Sequence, residues 1–243
     1  MIIDGEKLAR EKEAQLKLKV KPGLKLAILV FKDDRAGQVY SRLKQEAGKR
    51  LGIEVIISNE PTKLAEWNQD ASIQGVMIQR PGYRGKEFEK QWAQLVETIV
   101  PSKDVDGLRD NSYFIQATVR AVEVILRTLP LRSDNVVIVG SGMVGRRLAV
   151  RFQALELSSR DKNLGNKTKE ADILISCTGR EKLITAEMVK PGAIVIDVGW
   201  PKGDVDFEAV KNKAGWITPV PGGVGPVTVV CLLENLVSTV YNS

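Results

Sequence analysis

The sequence predicts an α/β protein built on parallel sheets, and three observations carry that expectation. Apolar runs of strand length recur at residues 24–31, 53–58, 73–79, 135–140, 171–177 and 193–199. Between most of them lie stretches of helical periodicity, including 37–52, 86–99 and 118–129. Strands that alternate with helices are joined by crossovers, and crossovers make parallel pairs. Finally, one strand runs into a Gly-x-Gly-x-x-Gly turn that opens a helix, the local layout of a dinucleotide-binding unit.

Taken in order, the first strand, "LKLAILVF", is followed by the helix "GQVYSRLKQEAGKRLG". Tyr40 and Lys44 stand four apart in it and so share a face. The strands at 53–58 and 73–79 come next, with an unusually short connection through "EPTKLAEWNQ", and Gln79 closes the latter just before Arg80-Pro81. After the helix at 86–99, the stretch "VPSKDVDGLRDNSYF" breaks the alternation with turn residues and charges. It marks the expected inter-domain boundary, and it carries Asp104 and Asp106. A helix at 117–129 then leads into a fresh strand at Asn135.

That strand ends in Gly140-Ser141-Gly142-Met143-Val144-Gly145. Glycines there allow a sharp turn, backbone approach to a pyrophosphate and close helix packing, while the helix N-terminus offers unbonded N–H groups. The next strand, "ALELSS", ends at Ser158, Ser159 and Arg160, where an NAD enzyme usually carries an acidic residue. Hydroxyls and a guanidinium suit a 2′-phosphate instead. NADP is therefore the expected cofactor, with NAD as the alternative if Glu156 faces the site or Arg160 and Lys162 are only solvated loop charges. Thr178 and Gly179, after the strand at 171–177, complete the expected cofactor set.

Composition bounds the function classes. The chain has 243 residues, 43% hydrophobic and 27% charged, the balance of a globular protein of one large or two modest domains. No apolar run reaches the roughly 20 residues of a membrane span, and the N-terminus has no basic-then-apolar leader, so a cytoplasmic protein is expected. Cys177 and Cys231 sit in apolar contexts without metal-like spacing, which predicts free thiols and no metal site. Histidine is absent. Histidine-based triads and proton shuttles are thereby excluded, and proton transfer falls to Lys, Tyr, Asp, Glu or Cys. The net charge of +6 comes from scattered rather than clustered basic residues, and aromatics are only 5%, which favours a small polyanionic ligand over nucleic acid.

A Tyr-x-x-x-Lys pair alone is commonly an aromatic on a core edge beside a solvated amine, and Asp-rich turns commonly bond their own backbone. Five segments in order say more: "IIDG" at 2–5, "YSRLK" at 40–44, "PSKDVDG" at 101–107, "GAIVIDVG" at 192–199 and "TPVPGGVGPVT" at 218–228. On these the sequence resembles the bifunctional methylenetetrahydrofolate dehydrogenase/methenyltetrahydrofolate cyclohydrolase family over essentially its whole length. The resemblance implies an N-terminal α/β folate domain, 1–116 with the C-terminal helix 224–243, and a Rossmann-like NAD(P)-binding domain, 117–223, with the active site in the cleft. It implies oxidation of 5,10-methylenetetrahydrofolate with NADP, hydrolysis of the methenyl product to 10-formyltetrahydrofolate, a place in one-carbon metabolism and purine biosynthesis, and a homodimer.

By the same resemblance, Lys44 is the general acid/base of the hydration, Gln79 orients it, Tyr40 stacks on the aminobenzoyl ring and Asp106 binds the pterin. Pro221, Gly222 and Gly223 form a wall of the folate pocket. The chain departs from the family pattern at Gln79-Arg80-Pro81-Gly82-Tyr83, normally Q-L-P-L-P, which sets a charge beside the pocket. It departs again at Gln116-Ala117-Thr118-Val119, normally P-C-T-P, and in a nucleotide loop lacking the family's arginine. Two alternatives stay open: a dehydrogenase without cyclohydrolase activity and perhaps specific for NAD, and a catalytically silent nucleotide-binding homologue.

Overall fold

A computed structural model describes residues 1–82, 85–130 and 135–241. Tyr83, in the altered segment, and the final two residues of the stretch 224–243 lie outside the described residues. The chain divides into two compact units, Met1–Ala9 with Thr118–Thr228 and Arg10–Ala117 with Val229–Ser243. The division falls inside the first helix, α1 (Gly5–Lys17), and inside the last.

The second unit is built on β1 (Lys25–Leu29), α2 (Arg35–Leu51), β2 (Glu54–Ser58), α3 (Lys63–Gln69), β3 (Gly75–Ile78) and α4 (Lys86–Thr98). Its three strands pair in parallel in the order β2-β1-β3, with Leu26 opposite both Val55 and Gly75. Central β1 is apolar on both faces because both are covered, as parallel sheets require. Helix α2 starts where the Asp34 carboxylate accepts the Gly37 N–H at 3.0 Å, and it ends at Gly52 in the left-handed conformation, φ 79°. A side-chain cap before and a left-handed glycine after are the usual helix limits.

The first unit contains α5 (Ala117–Arg127), β4 (Val136–Val139), α6 (Met143–Phe152), β5 (Leu155–Leu157), α7 (Leu164–Thr168), β6 (Ile173–Ser176), β7 (Ile194–Asp197), α8 (Phe207–Val210), β8 (Trp216–Ile217) and the start of α9 (Val224–Ser238). Its parallel sheet runs β5-β4-β6-β7-β8. The strand order reverses at β4, whose neighbours leave it in opposite directions along the sheet. That reversal opens a crevice at the carboxyl ends of β4 and its neighbours, where open α/β sheets take ligands. A core of Val137, Leu174, Val195, Ile184 and Ile217 fills one face of the sheet.

The predicted strands are all present, each shorter by a residue or more at one or both ends. The two-residue β8 carries no periodic signal in the sequence. The first nine residues group with the five-stranded unit rather than with 10–117, because Ile2 bridges to Ile217 and the Ile3 N–H donates to the Ile217 carbonyl at 2.8 Å. Edge strand β8 thus takes the N-terminal apolar pair as its neighbour. Among the described residues no helix is long and apolar enough to cross a membrane, and no acidic or cysteine cluster could hold a metal ion.

Candidate active site

In the three-stranded unit, the third turn of α2 and the carboxyl end of β3 bring a lysine and a glutamine together. Lys44 is 2% exposed, and its Nζ donates to Gln79 Oε1 at 2.6 Å. The same ammonium lies 3.8 Å from the centroid of the Tyr40 ring, one helical turn back. The helical spacing read from sequence makes that contact, and Gln79 directly follows Ile78, the last residue of β3, where its own N–H donates to the Leu29 carbonyl at 2.8 Å. Gly37 makes room: a Cβ there would come within 2.0 Å of the Asp34 carboxylate and 3.0 Å of the Gln79 side chain.

Burial lowers the Lys44 pKa from 10.5 to about 8, and the opposing charge of Asp106 raises it only in part. Desolvation disfavours the ammonium, a nearby carboxylate favours it, and here burial wins. The result is an amine that can give and take a proton near neutrality, which an exposed lysine cannot do. Lys44, Gln79, Tyr40 and Asp106 are therefore one cluster. Asp104 is not part of it, since its carboxylate accepts the N–H groups of Leu108 (3.0 Å) and Arg109 (2.8 Å) and closes the turn.

Arg80, next to Gln79, is turned to other partners. Its guanidinium pairs with Glu89 at 2.6 Å and lies 5.0 Å from the Trp92 ring centroid. The charge expected beside the pocket is thus neutralised by the helix that follows. Gln116 is buried, and its backbone lies 2.6 Å from where a Cβ on Gly107 would stand. Gly107, at φ +65°, keeps the 104–107 turn tight against it.

In the five-stranded unit, Gly140, Ser141, Gly142, Met143, Val144 and Gly145 join β4 to α6 at the sheet reversal. Two of the three glycines are demanded by packing. A Cβ on Gly145 would come within 1.6 Å of the Gly140 carbonyl, and one on Gly140 within 2.6 Å of the Cys177 carbonyl. Gly142 differs, for a Cβ there would meet nothing within 4 Å. Gly142 caps the ten-residue α6 without a side-chain bond, so its bare backbone opens onto the helix N-terminus. That arrangement fits a dinucleotide pyrophosphate, which binds by backbone N–H groups and the helix dipole. Ser158, Ser159 and Arg160 follow β5, and Thr178 and Gly179 follow β6, the strands on either side of β4.

A family model described as the tetrahydrofolate dehydrogenase/cyclohydrolase catalytic domain matches residues 3–106, and one for that family's NAD(P)-binding domain matches residues 116–243. The chain belongs to the tetrahydrofolate dehydrogenase/cyclohydrolase family. Bifunctional protein FolD of Vesicomyosocius okutanii is 38% identical over 272 aligned residues, covering 96% of each chain. The crystal structure of FolD from Campylobacter jejuni is similar over 100% of this chain and 99% of its own, at 31% identity and a TM-score of 0.87. The Trypanosoma brucei FolD structure, complexed with NADP and an inhibitor, covers 100% and 97% at 26% identity and a TM-score of 0.86.

Within this tetrahydrofolate dehydrogenase/cyclohydrolase chain, Pro221, Gly222 and Gly223 lie in the five-stranded unit. Gly223 is buried against its own loop and against "IIDG": a Cβ on Gly5 would come within 1.9 Å of the Gly223 carbonyl, and one on Gly223 within 2.4 Å of the Pro219 carbonyl. Two of the recognition segments thus pack backbone to backbone. Gly222 has φ +99° and Pro221 is exposed. Pro226 sits in the first turn of α9, where a missing N–H costs nothing.

The sequence reading missed two acids that shape the crevice. Asp204 is fully buried; it accepts the Ser176 hydroxyl at 3.0 Å and the Thr178 N–H, holding the turn after β6. Asp197, at the end of β7, accepts the N–H groups of Gly199 (2.8 Å), Asp204 (3.0 Å) and Val205 (2.9 Å). Burial pushes its pKa up to about 6 against those bonds. Asp204 lies in "GDVDF" and Asp197 in "GAIVIDVG", but neither has a spacing that distinguishes it from other acids at turns and strand ends. Cys177 is a free thiol, pushed up to about 12 by burial, and is inert at neutral pH.

Proposed function

We propose that this chain oxidises 5,10-methylenetetrahydrofolate with NADP and hydrolyses the resulting 5,10-methenyl cation to 10-formyltetrahydrofolate. The observation that carries the proposal is the buried Lys44 amine, bonded to Gln79 and facing Tyr40, with Asp106 as its nearby counter-charge. Family membership supplies the folate chemistry, and the amine supplies the group that the second step needs. NADP, bound at the Gly140–Gly145 turn with Ser158, Ser159 and Arg160 at its adenosine end, supplies the hydride acceptor.

Oxidation at the methylene carbon is assisted by the substrate's own nitrogens, so the chain's part in it is to bind and orient. Tyr40 stacks on the aminobenzoyl ring, and Asp106 accepts hydrogen bonds from the pterin. Hydration does need proton transfer. Lys44, as the neutral amine, takes a proton from the water that attacks the methenyl carbon, and a C–O bond forms. The carbon–N5 bond then breaks as Lys44 returns a proton toward N5. One proton of the water ends on N5, the other leaves to solvent, and the carbon keeps the oxygen as a formyl group on N10. Gln79 holds the amine in place between these transfers. A lysine that can become neutral is also compatible with a cationic substrate, which a fixed positive charge would repel.

The presence of Lys44 in a desolvated site argues for both activities rather than the dehydrogenase alone. We place the protein in the cytoplasm as a homodimer acting in one-carbon metabolism, by analogy with its family. The test is to incubate purified protein with methylenetetrahydrofolate and NADP or NAD, following formation of the methenyl chromophore and its decay separately. Formation and decay with NADP are expected. No methenyl formation with either cofactor would overturn the enzyme reading.

A further inference from the structure

The five-stranded unit carries an exposed guanidinium that none of the roles above uses. Arg180 stands in the turn after β6, and its N–H donates to Thr178 Oγ1 at 3.1 Å, which fixes the turn. Its side chain reaches back: Nη1 donates to the main-chain carbonyl of Ser159 at 3.0 Å, in the turn after β5. Strands β5 and β6 are not neighbours, because β4 lies between them. The Arg180 side chain therefore spans the carboxyl end of β4, the strand that runs into the dinucleotide turn.

The charge around it is unusual. Lys167 is paired with Asp161 at 3.1 Å and Lys202 with Glu181 at 2.7 Å, both near these turns. Neither Arg180 nor Arg160 has an ion-pair partner among the described residues. The acids Glu156 and Asp204 influence Cys177 between them, and Asp204 spends one oxygen on Ser176 and Thr178. A guanidinium has five N–H donors in a fixed fork, and Ser159 takes one of those on Arg180. Two guanidiniums that pair with no carboxylate at one strand end, one of them anchored, suit a dianionic group.

We propose that Arg180 is a specificity-determining residue that, with Arg160, grips the 2′-phosphate of NADP, a group NAD lacks. The inference rests on the dinucleotide reading of this crevice. In such units the ribose 2′ position is read at the end of the strand beside the glycine turn, here β5. Arg160 belongs to that strand end, and Arg180 reaches it from the far side of β4, so the phosphate is met from two directions. Fork geometry matters in guanidinium–phosphate pairs, and lysine does not reproduce it.

The test is calorimetric binding of adenosine 2′,5′-bisphosphate and of 5′-AMP to the wild type, Arg180→Gln and Arg180→Lys. The wild type is expected to prefer the bisphosphate. Arg180→Gln should lower bisphosphate affinity about tenfold or more while 5′-AMP binding stays within about twofold, the size of a lost charge-assisted bond. Arg180→Lys should recover only part. Equal weakening of both ligands, or no change, would overturn the role given to Arg180. Wild-type protein that binds neither ligand would overturn the dinucleotide reading itself, and equal wild-type affinity for the two would remove the 2′-phosphate preference on which both arginines depend.

Discussion

Gln79 Oε1 accepts a hydrogen bond from Lys44 Nζ at 2.6 Å, at a place where the lysine is 2% exposed. Burial disfavours the ammonium and the charge of Asp106 favours it only in part, which leaves the pKa at about 8. At neutral pH about one molecule in ten then carries the neutral amine that a general base requires. Methenyl hydrolysis, corrected for the uncatalysed reaction, should rise with pH and level off above about 8. Lys44→Met should abolish nearly all of it while NADP binding, measured by calorimetry, survives. Unchanged hydrolysis in that variant would remove Lys44 from the reaction.

Asp106 is the counter-charge that raises the Lys44 pKa against burial. Replacing it with Asn removes a negative charge, so the lysine should titrate at a lower pH than in the wild type. The measurement is an NMR titration of the Lys44 side chain in the free protein, which separates this effect from any loss of folate binding. An unchanged or raised value would mean that Asp106 does not act on Lys44.

The same lysine ties stability to pH. Its pKa is lowered from 10.5 in the unfolded chain to about 8 in the fold, so between those values the unfolded chain binds more protons and stability rises with pH. Below that window the whole cost of burying the charge is present, and above it the cost is gone. Relative to Lys44→Met, the wild type should gain about 2 kcal/mol in urea unfolding between about pH 7 and about pH 9.5. A gap that does not narrow would show that the fold leaves the lysine's pKa at its unfolded value, still charged throughout this range.

The two glycine roles in the nucleotide turn separate by experiment. Gly145→Ala forces a Cβ to 1.6 Å from the Gly140 carbonyl and should destabilise the protein by about 2 kcal/mol or more, read as a lowered denaturant midpoint. Gly142→Ala meets nothing within 4 Å. It should leave the midpoint unchanged within about 0.5 kcal/mol and weaken NADP, because the new methyl group would occupy the open space at the helix N-terminus where we propose the pyrophosphate binds. A variant at Gly142 that binds NADP normally would move the cofactor away from this turn.

Much of this was legible in the chain because the chemistry sits where strands end. Gln79 closes an apolar run, Tyr40 and Lys44 obey the helical repeat, and the glycine turn follows a strand, so periodicity placed each of them. What periodicity could not give was burial. Nothing in "YSRLK" states that Lys44 is desolvated, since that depends on packing of α2 over a sheet whose strands are far apart in sequence. Contacts such as Gly5 with Gly223, or Asp204 with Thr178, are equally invisible, because they join turns that carry no period. Arg80 read as an intruding charge until Glu89 and Trp92, nine and twelve positions on, were seen to hold it.

Arg160 follows β5 with Ser158, whose hydroxyl accepts the Arg160 N–H at 3.3 Å and shapes the turn. No carboxylate among the described residues pairs with its guanidinium, so its charge is available to a ligand at the end of that strand. A 2′-phosphate offers that charge a partner, and a 2′-hydroxyl does not, so the residue should act on one cofactor only. Arg160→Ala should therefore raise the KM for NADP by about tenfold or more and leave that for NAD within about twofold. Steady-state kinetics of methenyl formation with each cofactor provide the measurement. Equal losses with NADP and NAD would mean that Arg160 supports the turn and does not read the phosphate.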